Sequence, residues 1–155
     1  MYLPPSMTFL SSQINGIKDN KFLIAAILSE VIFDHNYYYK HNQDLHKYFN
    51  PDDINGLWSH YLKNGWFEDR FPFEVVVDEI FYLNNYPDVS SFDGTLNQHF
   101  VIHGYKEGRL PYMFNLNIKK YNKRLKVLEP DSEKIVTESQ MYKHFLTKGY
   151  HQLYA

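Results

Sequence analysis

The chain contains no cysteine in 155 residues. That excludes disulfides and thiolate metal sites, and it leaves the redox compartment unspecified. A surplus of positive charge is also missing, with 16 Lys and Arg against 18 Asp and Glu. A general electrostatic grip on nucleic acid needs such a surplus, so nucleic acid is not an expected partner. Long apolar runs are absent as well. The most apolar stretch, 22–32, is interrupted by Ser29 and Glu30, and it falls short of the ~20 residues that span a bilayer. Residues 1–15 carry no Lys or Arg, and their apolar stretch around Met7 to Leu10 is too short for a signal-peptide core. These absences predict no membrane span and a cytoplasmic location. No serine nucleophile elbow, phosphate loop or dinucleotide fingerprint occurs. No catalytic residue stands out, and no cofactor is expected.

Aromatic residues are abundant, with 14 Tyr and 12 Phe. Large amphipathic rings can fill a core while keeping hydroxyls at its edge. They are distributed in a repeat. Three segments align without gaps: LWSHYLKNGW (57–66), LNQHFVIHGY (96–105) and MYKHFLTKGY (141–150). Each reads apolar, two variable, His, aromatic, aliphatic, two variable, Gly, aromatic. The first halves of two units also align, FDHNYYYKHNQDL (33–45) with VDEIFYLNNYPDV (77–89). A third version, from Phe114 to Ile118, is degenerate and runs into a basic stretch.

The second half of each unit reads as a helix. Ile54, Leu57, Trp58, Tyr61 and Leu62 fall on one face of a 3.6-residue period. Leu96, Phe100 and Val101 repeat that face, as do Met141, Tyr142, Phe145 and Leu146. Gly65, Gly104 and Gly149 stand where each helix should stop, in the left-handed conformation that glycine takes at little steric cost. Pro72 and Pro111 then block resumption. The first half is expected to be a short helix capped by Asp34, Asp78 or Asn115. Residues 20–32 are predicted to form a further helix, packed deeply as an N-terminal cap. The 119–129 stretch, with five Lys and Arg, is predicted to be an exposed helix or arm. Repeat periods near forty residues are the mark of stacked helix pairs. The expected fold is all-α: a single domain over 1–155, with a cap (1–32), two repeats (33–73 and 74–113) and a degenerate third (114–155).

The pattern resembles a bacterial helical repeat of the form Tyr-Leu-x-x-Asn-Pro-Asp-Val followed by His-Tyr-x-x-x-Gly-x-x-Glu-Gly-Arg-x-Pro. The matching residues are Tyr82, Leu83, Pro87, Asp88, Val89, His99, Phe100, Gly104, Glu107, Gly108, Arg109 and Pro111. The first copy matches through Asn42, Asp44, Leu45, His60, Tyr61, Gly65, Glu68, Arg70 and Pro72. The resemblance covers 33–111 well and 114–150 in part. It implies an accessory segment of the kind found beside surface-polysaccharide glycosyltransferases and in large secreted proteins. It implies no catalytic residue.

His60, His99 and His144 are equivalent by alignment. Histidine is a common metal ligand. Equivalent positions in stacked units sit on the order of 10 Å apart, whereas zinc holds its ligands at about 2 Å. A shared metal is therefore not expected, and the rings are expected to bond neighbouring backbone groups. His99 and His103 form an i, i+4 pair, but Asn64 and Lys148 replace His103 in the other copies and no third ligand is evident. Arg70 beside Glu68, and Arg109 beside Glu107, suggest either an anion clamp or an ion pair between units. The second is favoured, because the third copy loses these charges. Trp58, Trp66, Tyr105 and Tyr150 suit stacking on sugars or packing in a core. Asp52–Asp53 and Asp78–Glu79 suit helix starts. The candidate binding residues are Trp66, Arg70, Tyr105, Arg109, His99 and His103. The function expected is a non-catalytic binding or assembly module with a protein or glycan partner. The alternatives are a small enzyme or metal-dependent protein using the histidines, and a self-assembling structural protein that forms homo-oligomers.

Overall fold

The computed structural model describes residues 1–145. These are helical, with no strand among them. No helix among them is long and apolar enough to cross a membrane. Eight α-helices run in order: α1 (Met7–Gln13), α2 (Lys21–Leu28), α3 (His35–His41), α4 (Ile54–His60), α5 (Glu79–Asn85), α6 (Leu96–His99), α7 (Ile118–Leu128) and α8 (Glu138–His144). The described residues fall into two compact units, Leu3–Met113 and a second formed by Met1–Tyr2 with the residues from Phe114 onward.

Side-chain caps start these helices, satisfying backbone N–H groups that lack an intrahelical partner. Asp34 accepts from the Tyr37 amide and Asp78 from that of Phe81, each at 3.0 Å. In the second unit Asn117 does this, accepting from the amides of Lys119 and Lys120. The cap is thus Asn117 rather than Asn115. The correct phase is set by the tyrosine four residues on, since Tyr38, Tyr82 and Tyr121 each follow their cap by four. Asp53 caps α4 through the Gly56 amide. Thr95 with Gln98, and Thr137 with Gln140, build reciprocal capping boxes on α6 and α8.

Two expectations about the helices fail for physical reasons. The helix expected over 20–32 spans only Lys21–Leu28 and is not deeply packed. Ile27 and Leu28 are buried, but Phe22 is 88% exposed. A helix of eight residues offers the core one stripe of about two residues per turn, so an apolar surround is no guarantee of burial. The glycines also behave differently. Gly65 is right-handed (φ −59°, ψ −44°), and Gly104 has no positive φ. The helical segment does reach the glycine in both copies, as expected, but without a left-handed residue there. After α4 it continues as a π-helical turn, Tyr61–Gly65, and after α6 as Phe100–Gly104. The left-handed residues come four positions later, at Asp69 (φ 58°) and Gly108 (φ 74°). Gly149 lies outside the described residues. Ile54 and Val101, expected on the buried face, are 51% and 43% exposed.

The core of the first unit extends through the N-terminal segment. Leu3, Pro4, Pro5, Ser6, Met7 and Leu10 are all buried. The Trp66 indole Nε1 donates to the Pro5 carbonyl at 3.0 Å, and the Tyr105 hydroxyl donates to the Pro4 carbonyl at 2.9 Å. The Asp69 carboxylate accepts from the Ser6 hydroxyl and from both the amide and the hydroxyl of Thr8. The Phe9 ring lies so close to Gly108 that a Cβ there would come within 2.6 Å of it. Aspartate tolerates the left-handed region better than most residues, and at Asp69 its carboxylate holds the start of α1.

Candidate functional site

Each segment that carries the repeated histidine is built around a tyrosine. The Tyr38 hydroxyl meets His60 Nδ1 at 3.0 Å, Tyr82 meets His99 Nδ1 at 3.0 Å, and Tyr121 meets His144 Nδ1 at 2.8 Å. The residue after each histidine presents an aromatic edge to the same tyrosine. The pairs are Tyr38–Tyr61, Tyr82–Phe100 and Tyr121–Phe145, with interplanar angles of 88°, 86° and 72°. Edge-to-face packing suits the ring quadrupoles. Phe49 and Phe92 pack edge-on against His60 and His99.

The glycine completes this arrangement. A Cβ on Gly65 would overlap the Tyr38 hydroxyl oxygen, and one on Gly104 would overlap that of Tyr82. The π turn inserts one extra residue before the glycine. The glycine then faces the tyrosine, and Trp66 or Tyr105 turns inward. Glycine is needed for close approach of backbone to hydroxyl rather than for handedness.

Burial, with the nearby Arg70 and Arg109, lowers the imidazole pKa of His60 and His99. Burial raises the hydroxyls of Tyr38 and Tyr82. Both directions favour a neutral ring accepting at Nδ1 from a neutral tyrosine. His60, His99 and His144 thus each bond a tyrosine hydroxyl, where the sequence had suggested a backbone group.

The arginines are fully engaged. Arg70 makes a two-pronged contact with Asp44 (2.9 and 2.8 Å), and also bonds Asn42 and Glu68. Arg109 grips Asp88 at 3.0 and 2.7 Å, pairs with Glu107 and lies over the Tyr86 ring. The bidentate fork is the strong form of this contact, and it draws the carboxyls of Asp44 and Asp88 below their usual range. Each pair closes within its own stretch, 33–73 or 74–113. The ion pair between units expected from the sequence is therefore replaced by one between the two halves of a single unit. Backbone bonds reinforce this closure. The Asp34 amide donates to the Pro72 carbonyl and the Asp78 amide to that of Pro111, both at 2.9 Å.

The six candidate binding residues are thus not one site. Trp66 and Tyr105 are 0% and 1% exposed, and neither offers a ring face to solvent. Arg70 and Arg109 are locked by carboxylates. His99 is buried against Phe92 and Tyr82, while His103 is exposed, with ring centres 5.5 Å apart. Among the described residues no group of three or more His, Asp or Glu is placed to hold a metal ion. Sequence reasoning missed Tyr38, Tyr82 and Tyr121 as the histidines' partners. The signal was present as a tyrosine four residues after each Asp or Asn cap.

Searches against protein-family models, curated proteins and solved structures give no match. The internal comparison is therefore the informative one: one tyrosine–histidine contact, one edge-on ring and one cap, each occurring three times.

The lowered values carry a sign for stability. A histidine whose folded pKa lies below the unfolded one favours folding fully above about pH 6.5. That contribution is lost as pH falls from there through the folded value. Asp44 and Asp88 act likewise in a lower window, beginning near their usual 3.8. Acid should therefore weaken the fold in two steps. Chemical denaturation between pH 7.5 and 3 would show it, and a midpoint unchanged from pH 7 to 5 would contradict it.

Proposed function

We propose that the chain is a non-catalytic helical-repeat module for binding or assembly, with an N-terminal cap, serving surface-glycan synthesis in a bacterium. One observation supports this most. The residues that recur are engaged in contacts that build the units: Tyr with His in all three, and Gly, Arg and Asp in the first two. The outward positions differ from copy to copy, as Asn64 and His103 do. Repeat proteins divide labour in this way, with a conserved frame and a variable surface. The histidines that an enzyme would use have Nδ1 committed to tyrosine.

The glycan setting rests on the Pro-Asp-Val and Gly-x-x-Glu-Gly-Arg-x-Pro pattern at 87–89 and 104–111. The test is a glycan array probed with the labelled full chain, together with co-purification against surface-polysaccharide glycosyltransferases of the same organism. Saturable binding to a bacterial surface glycan, or a stable complex with such an enzyme, is expected. A chain that does neither, and that carries a stoichiometric metal, would overturn the reading.

A further inference from the structure

A groove of about 740 Å³ opens between α7 and the 130–136 segment, wholly within the second unit. That volume lies within the range of ligand sites, roughly 300–1,000 Å³. Its floor is aliphatic. Leu125 and Ile135 are buried, Ile118 is half-buried, and Val136 stands exposed at the rim. Around it stand Lys119, Lys123, Lys126 and Lys134. The first three fall at i, i+4 and i+7, on one side of α7. No carboxylate lines the groove, and none of these four lysines is in an ion pair among the described residues.

The opposite wall is fixed in advance. The Asn122 side-chain amide donates to the carbonyls of Ile118 and Ile135, and its oxygen accepts from the Ile135 amide at 3.0 Å. One side chain thus ties the 130–136 segment to α7. A preformed wall spares a ligand the cost of ordering it.

Charge in this groove runs against the rest of the chain. Of 16 Lys and Arg, four line this groove, whose lining holds no carboxylate; Asp131 and Glu133 belong to the same 130–136 segment but not to the lining. The remaining 12 are outnumbered by the 18 Asp and Glu. We propose that the groove binds an acidic peptide segment bearing aliphatic side chains, presented by a partner protein. The rim selects carboxylates, and the floor takes the leucine- or valine-type side chains between them. A concave floor does not reach into a lipid bilayer, which calls for a flat or convex apolar face. An apolar floor gives a phosphate backbone nothing to bind. This proposal rests on the binding-module reading and names the chemistry of the partner.

The test uses the full chain, labelled with ¹⁵N, and the capped peptide Leu-Glu-Glu-Leu-Glu-Glu-Leu as probe. Amide shifts should saturate and be confined to 118–136. Lys119→Glu with Lys123→Glu should weaken binding by about tenfold or more, as should glutamine in place of glutamate in the peptide. Lys126→Glu with Lys134→Glu, at exposed positions on the same rim, gives a second route should the first pair disturb α7. No saturable shift, equal binding of the glutamine peptide, or tighter binding to phosphatidylglycerol vesicles or single-stranded DNA would overturn it. If the peptide fails while the glycan array or the enzyme complex succeeds, the groove assignment falls and the module reading stands.

Discussion

Gly104→Ala is expected to destabilise the first unit by about 3 kcal/mol, although alanine is ordinarily the better helix former. In a right-handed helical position the swap should gain close to 1 kcal/mol. Here the new methyl would occupy the space of the Tyr82 hydroxyl. Overpacking of this kind costs roughly 1–3 kcal/mol. Displacing the hydroxyl also leaves His99 Nδ1 without its donor, at about 1–3 kcal/mol for a buried acceptor. The decisive comparison is with Tyr82→Phe. That change removes the oxygen and costs one hydrogen bond by itself. In the double variant the alanine has room, so the two losses should fall short of their sum by about 1–2 kcal/mol. Chemical denaturation of the four proteins measures this. Strict additivity would mean that glycine is needed for another reason.

Trp66→Ala should cost about 4 kcal/mol, the scale for removing a fully buried large aromatic. The ring is 0% exposed, and its Nε1 holds the Pro5 carbonyl. Truncation would leave a cavity and also free the N-terminal segment on one side. Native stability of a domain is only about 5–15 kcal/mol, so such a loss approaches complete unfolding. Hydrogen exchange separates the two contributions. Amides of 6–14 should lose protection before those of α5 and α6, since Tyr105 still holds Pro4. Uniform loss across Leu3–Met113 would show that the segment is no separate layer. Trp66→Phe keeps most of the volume and drops the donor, and it should cost about 1–2 kcal/mol.

Much of this fold was legible in the sequence. The all-helical class follows from the 3.6-residue stripes, and the caps at Asp34 and Asp78 from residue type and position. The glycines were located correctly but explained wrongly. A glycine near a helix end usually marks left-handed backbone. The tyrosine that excludes a side chain at Gly65 or Gly104 comes from 27 or 22 residues upstream, where no local rule looks. The arginines misled in a similar way. Loss of charge in the third copy suggested docking between units, whereas Arg70 and Arg109 reach back to Asp44 and Asp88 in their own units. Both aspartates were already present in the aligned first halves. Their pairing depends on how the halves fold together, which spacing alone does not reveal. The N-terminal segment was the largest omission. Residues 3–7 have no periodicity, and their role lies in two proline carbonyls that no side-chain pattern advertises.

That segment has a consequence for synthesis. Pro4 and Pro5 are made before their partners: Trp66 follows Pro5 by 61 residues, and Tyr105 follows Pro4 by 101. At about 5–20 residues per second, this segment waits on the order of 5–20 s before its second anchor exists. During that interval Leu3, Met7 and Leu10 are apolar side chains without a finished core. The segment made before its partners is thus the last part of its unit to settle, and whatever shields nascent apolar segments must hold it until Tyr105 has emerged.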